Sequence, residues 1–186
     1  MRIQRVFMMI AILAVTAVPA YVGAQIESTP VPAPEKPNFS SMSFLVGTWT
    51  CSTKSARRPA AYVTTTTYAL DPTGYWMTQT SATKPTAWIS RKLTTYDRIT
   101  YDPDSKRWVD LSYGDGGAYD LSFASGWSGD KIIWKDAAFA PGPDISGQGN
   151  TTFTKVSPTK VTSTSWFTET KTGRHVSVDT TCTKSE

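Results

Sequence analysis

Apolar and polar positions alternate along most of this chain in short runs, a period of two that suits half-buried strands. Thr, Tyr, Trp and Val fill those runs, and such side chains fit a pleated surface better than a helix. Gly, Pro and Asp clusters break the pattern at hairpin intervals. Asp71-Pro72-Thr73-Gly74 divides Ala61–Leu70 from Tyr75–Thr80, and Asp102 to Lys106 divides Lys92–Tyr101 from Arg107–Tyr113. Further runs are expected at Tyr119–Phe123, Lys131–Lys135, Thr151–Val156 and Lys160–Thr168, with a last one ending at Cys182. Consecutive strands on short turns form an up-and-down meander, and a meander of this size closes to remove its sticky edges. The expectation is an all-β domain: a single closed or nearly closed antiparallel barrel of about nine to ten strands.

The first strand is the stretch Phe44-Leu45-Val46-Gly47-Thr48-Trp49-Thr50-Cys51-Ser52. Capping side chains in Asn38-Phe39-Ser40-Ser41-Met42 predict one short helical turn ahead of it, packed over the barrel. Gly47 lets the backbone bend or approach a neighbour closely, and Trp49 two residues on is placed to plug the closed end. Trp49 and Cys51 share one strand face, and Val176, Val178 and Cys182 share another. If both cysteines point inward on paired first and last strands, a Cys51–Cys182 disulfide staples the ends of the sheet together.

The N-terminus reads differently. Arg2 and Arg5 precede an apolar run from Val6 to Val18, and Val22-Gly23-Ala24 supplies small residues before Gln25. That is the three-part pattern of a secretory signal peptide over residues 1–24. Closely spaced prolines then predict an extended, disordered lead-in over 25–38, leaving 39–186 as one domain. Export places the protein in a secreted or periplasmic compartment, where a disulfide persists. The full chain carries 19 basic and 15 acidic residues, and losing Arg2 and Arg5 lowers the net charge from +4 to +2. No dense Lys/Arg run remains, so nucleic acid is not an expected partner, nor is a membrane after leader cleavage. Oligomeric state is left open.

Gly47-Thr48-Trp49 after a capping segment and before a meander resembles the lipocalin and calycin-like barrels, whose first strand carries a Gly-x-Trp motif. Tyr101-Asp102-Pro103 with Arg107-Trp108 resembles a group of poorly characterised bacterial lipocalin-like domains. The resemblance implies a cup-shaped barrel holding a small apolar molecule. No conspicuous arginine is present to pack on the tryptophan, a place that Lys184 or Arg174 can fill. Gly173-Arg174-His175-Val176-Ser177 is also similar to the last strand of nitrobindins, which implies haem ligation by His175, the single histidine. Strand parity opposes this, because His175 faces out when Val178 and Cys182 face in.

No catalytic signature emerges. Gly126-Trp127-Ser128-Gly129 is too short for a nucleophile elbow, and Asp102, Asp104 and Asp110 lack the pattern of a calcium loop and read as turn caps. The expected activity is therefore non-catalytic, with no resident cofactor unless haem: a small apolar or aromatic ligand held inside the barrel. Strand parity and ring content nominate Met77, Tyr96, Tyr119, Leu121, Phe123, Trp134 and Trp166 as its lining. A barrel filled by its own side chains, contacting another protein through outer aromatics, is the remaining alternative.

Overall fold

The computed structural model describes residues 32–140, 149–169 and 172–185. The chain divides into two units, Met1–Pro34 and Glu35–Glu186. The expected leader and the first part of the proline segment lie outside the described residues, while 32–38 form neither helix nor strand.

The second unit opens with a 3-10 turn, Phe39–Leu45. Asn38 caps it, its side chain accepting from the Ser40 N–H at 3.0 Å. Eleven strands follow: β1 (Gly47–Ser55), β2 (Tyr62–Leu70), β3 (Met77–Thr83), β4 (Leu93–Asp102), β5 (Arg107–Gly114), β6 (Tyr119–Ala124), β7 (Trp127–Ser128), β8 (Lys131–Ala140), β9 (Gly149–Ser157), β10 (Lys160–Thr168) and β11 (His175–Lys184). All pairings are antiparallel; β1 pairs β11 and β6 pairs β8, which closes ten strands into a barrel with β7 as a two-residue extra on β8. Closure satisfies both sheet edges, and it agrees with the strand count and meander read from the sequence.

The turns are built by the residues that announced them. Asp71 accepts from the Gly74 and Trp76 N–H groups at 2.9 and 3.2 Å, and Asp102 accepts from the Asp104 N–H at 3.1 Å. Asp110 departs from expectation, since it is not a turn cap but an inward residue of β5.

Apolar packing is concentrated at the end of the barrel covered by the 3-10 turn. Phe39, Met42 and Leu45 are buried there against Trp49, Met77, Ile99 and Trp108. Trp49 is fully buried, and its indole N–H donates to the Leu45 carbonyl at 2.6 Å. Gly47, at φ +125°, passes so close to β11 that an added Cβ would lie 2.9 Å from Lys184 Cε. Lys184 in turn donates to the Phe44 carbonyl at 2.9 Å and lies over the Trp49 ring. Of the two basic candidates for that place Lys184 takes it, whereas Arg174 pairs with Glu169 at 3.7 Å. Cys51 and Cys182 are direct partners across β1 and β11 and form the disulfide.

Candidate functional site

Above this floor the barrel is hollow. A cavity of about 380 Å³ is bounded by strands from the whole circumference, and its character follows from strand parity. Thr53 on β1, Thr64 and Thr66 on β2, and Ser81 and Thr83 on β3 all point inward. Thr180 on β11 and Ser163 and Ser165 on β10 continue the hydroxyl surface. Direct cross-strand partners hydrogen-bond to each other: Thr53 with Thr180 at 3.0 Å, Thr64 with Thr83 at 2.9 Å, Thr66 with Ser81 at 2.9 Å and Thr151 with Ser165 at 2.7 Å. Such pairs hold strands together while satisfying hydroxyls that would otherwise be costly to bury.

The wall from β4 to β8 is acidic. Register aligns Tyr68, Gln79, Asp97, Ser112 and Asp120 as one belt around the barrel. The adjacent belt runs Met77, Ile99, Asp110, Ser122 and Asp136. Carboxylates therefore alternate with serines on neighbouring strands, close enough to repel through a poorly screened interior. Burial pushes the Asp97 carboxyl up to about 6, against the opposing pull of hydrogen bonds from Ser112 and Gln79. The Gln79 amide reaches Asp97 at 2.7 Å. Burial, then the charges of Asp97 and Asp120, drive Asp110 well above the usual carboxylate range. Asp120 rises to about 7 through burial and the charges of Asp136 and Asp97. Asp136 is raised by burial too, with the Gly149 N–H acting in the opposite sense. The same surroundings raise the Tyr68 phenol, burial first and then Asp97 and Asp110.

Two oxygens in this wall, Asp110 Oδ1 and Asp120 Oδ1, are buried without a protein donor, as is the Trp127 indole N–H without an acceptor. Asp110 and Asp120 are half-buried as residues, and both line the cavity. Trp127, Trp134 and Phe153 add aromatic surface, and among the described residues no Lys, Arg or His lines the space. Among the described residues no three His, Cys, Asp or Glu groups converge as a metal site.

Of the seven side chains nominated for the lining, Trp134 faces the cavity. Met77 is fully buried in the apolar floor cluster instead. Tyr96, Tyr119 and Trp166 are exposed outside the barrel, at 38%, 53% and 46%. Leu121 and Phe123 lie on the outward parity of β6, where Arg107 stacks on the Phe123 ring at 3.6 Å. The reason is common to these five: at the height of the cavity the inward positions of β4, β6 and β10 are polar (Asp97; Asp120 and Ser122; Ser163 and Ser165), so their apolar and aromatic neighbours face out. On β6 it is Asp120, Ser122 and Ala124 that face in. The sequence carried a usable signal at Asp97, which shares parity with Ile99, and at Asp110, which shares parity with Trp108. His175 lies outside the cavity, exposed at the start of β11, with Nδ1 3.0 Å from the Thr168 hydroxyl.

Fold and cavity together define a closed, ten-stranded antiparallel β-barrel with a polar interior. No protein-family model matches the chain, and no curated protein matches it either. Among solved structures it is similar to Rv2717c from M. tuberculosis, with a TM-score of 0.60 at 14% identity over 82% of this chain and 100% of that one. That likeness shows a shared fold. A second structure, a protein of unknown function from the DUF3598 family of Nostoc punctiforme, aligns with a TM-score of 0.38 at 16% identity, over 86% of this chain and 53% of that one.

Proposed function

We propose that this protein is an exported, non-catalytic barrel of the lipocalin-like kind that binds a small molecule in its interior. The observation that carries the reading is the cavity of about 380 Å³ above an apolar floor, a size suited to one small ligand. Trp127, Trp134 and Phe153 supply contact area for an apolar or aromatic body, in keeping with the ligand class expected from the sequence. The hydroxyl and carboxyl walls add that such a ligand also carries polar groups. Export is supported by the three-part leader and by the Cys51–Cys182 disulfide, which an oxidising compartment preserves. Among the described residues no helix is long and apolar enough to cross a membrane.

Native mass spectrometry of the mature protein from an exporting host tests this directly. The expected spectrum shows extra mass that disappears on denaturation. A bare native chain, together with no change in melting temperature or tryptophan fluorescence across a panel of small aromatic compounds, would overturn it.

A further inference from the structure

The acidic wall narrows the ligand class, an inference that rests on the cargo-binding reading above. We propose that the cavity selects small organic cations, an ammonium group on an aromatic or aliphatic body, with Asp97, Asp110 and Asp120 receiving the charge.

Three observations converge on this chemistry. Asp97, Asp110 and Asp120 line the space, and among the described residues no lysine, arginine or histidine lines it with them. The groups that do face them are neutral: Gln79, Ser112, Ser122, Tyr68 and the remaining hydroxyls, with Asp136 as a further acid beside Asp120. Asp110 Oδ1 and Asp120 Oδ1 receive no hydrogen bond from the protein although both are buried. A buried acceptor without a donor is costly, and the carboxyls that carry these oxygens line the cavity, where a cation's charge and its N–H groups offset that cost. Finally, Trp134 and Trp127 border the same space, so a ring or alkyl body meets aromatic surface there.

Other ligand classes fit less well. An anion would oppose the ionisation of Asp97, Asp110 and Asp120 and meets, among the described residues, no cationic partner. A wholly apolar ligand would leave the two orphan oxygens desolvated. A bare metal ion lacks a convergent ligand set among the described residues. The raised carboxyls add a thermodynamic consequence. Burial shifts Asp110 and Asp120 toward their protonated forms, Asp120 to about 7, and a bound cation favours the ionised forms, so binding expels protons and tightens as pH rises.

The test is calorimetric titration of the mature protein with phenethylamine, phenethyl alcohol and hydrocinnamate, at about pH 5 and about pH 8. These share one body and differ in charge. The expected result is amine binding about tenfold or more tighter than alcohol at the higher pH, no measurable carboxylate binding, and protons released with the amine. The paired change Asp97→Asn with Asp110→Asn, confirmed folded by circular dichroism, is expected to abolish the ratio between amine and alcohol. Equal affinities for amine and alcohol, or a ratio that survives both substitutions, overturn the cation assignment while leaving the cargo reading standing. Failure of all three compounds to bind overturns the cation assignment and, together with a bare native spectrum and a silent panel, the cargo reading as well.

Discussion

The ammonium of Lys184 lies 5.5 Å from the ring centre of Trp49, joining the last strand of the barrel to the plug of its first. The same ammonium donates to the Phe44 carbonyl at 2.9 Å, so one side chain ties β11, β1 and the 3-10 turn together. Replacement by methionine keeps the packed stem and removes both polar interactions. Lys184→Met is expected to lower stability by about 1–3 kcal/mol, measured by urea unfolding. Unchanged stability would show that the contact is incidental to the floor.

The disulfide closes the barrel seam in covalent form. Cys51 and Cys182 are separated by 131 residues in sequence yet face each other across β1 and β11. A cross-link over so long a loop restricts the unfolded chain, and its loss typically costs about 2–5 kcal/mol. The double variant Cys51→Ser with Cys182→Ser is therefore expected to melt well below the parent. Adding reductant should lower the parent's melting temperature and leave the variant's unchanged, which separates the bond from any packing defect.

Much of this architecture was legible because turn chemistry and alternation are local. Asp71, Asp102 and the glycines around them mark hairpins whatever the barrel contains. The first and last strands were legible too, since Trp49, Cys51, Val178 and Cys182 have the parity that closure requires. Which face of each middle strand turns inward was not. Alternation fixes two faces but does not name the inner one, and the usual assumption that the apolar face is inside fails where the interior holds a polar cavity. Tyr119, Leu121 and Phe123 alternate cleanly with Asp120 and Ser122, and the polar pair is the one inside. Only the neighbouring strands, whose registry places Ser112 opposite Asp120, resolve the choice.

Gly149 opens β9 at a point of close approach. An added Cβ would collide with the Trp166 carbonyl oxygen and stand 3.0 Å from both Asp136 Oδ2 and Phe167 Cβ. Two of these obstacles belong to the paired strand β10, so relief requires moving the β9–β10 ladder. Gly149→Ala is expected to cost about 3 kcal/mol or more, or to prevent accumulation of folded protein. A melting temperature equal to the parent's would contradict this close approach.

His175 gives a sharp test of the haem alternative. Its ring is exposed outside the barrel and engages Thr168, away from the cavity lining. Titration of the folded protein with hemin is expected to give no Soret band that depends on this residue, so His175→Ala and parent spectra should coincide. A band present in the parent and absent from the variant would restore the haem reading.

The acidic wall makes stability depend on pH in the sense opposite to that of ordinary surface carboxylates. For Asp97, burial raises the carboxyl from 3.8 to about 6, so the folded state holds this proton more tightly than the unfolded chain does. Its stabilising contribution is complete below about pH 4 and is lost as pH rises through about 6, because the ionised form must then sit in the barrel. Asp110 carries the same sign, and Asp120, at about 7, extends the decline to neutrality. With all three acting together, the unliganded barrel is expected to be more stable near pH 5 than near pH 8. Asp97→Asn keeps an acceptor for the Gln79 amide, which now lies 2.7 Å from the carboxylate, and removes the need to bury a charge. It should raise stability near pH 8 by on the order of 1–3 kcal/mol, leave it little changed near pH 4, and flatten the curve between. Urea unfolding of parent and variant across that range decides the matter: parallel curves would mean that Asp97 ionises freely and that the interior is wetter than its burial implies.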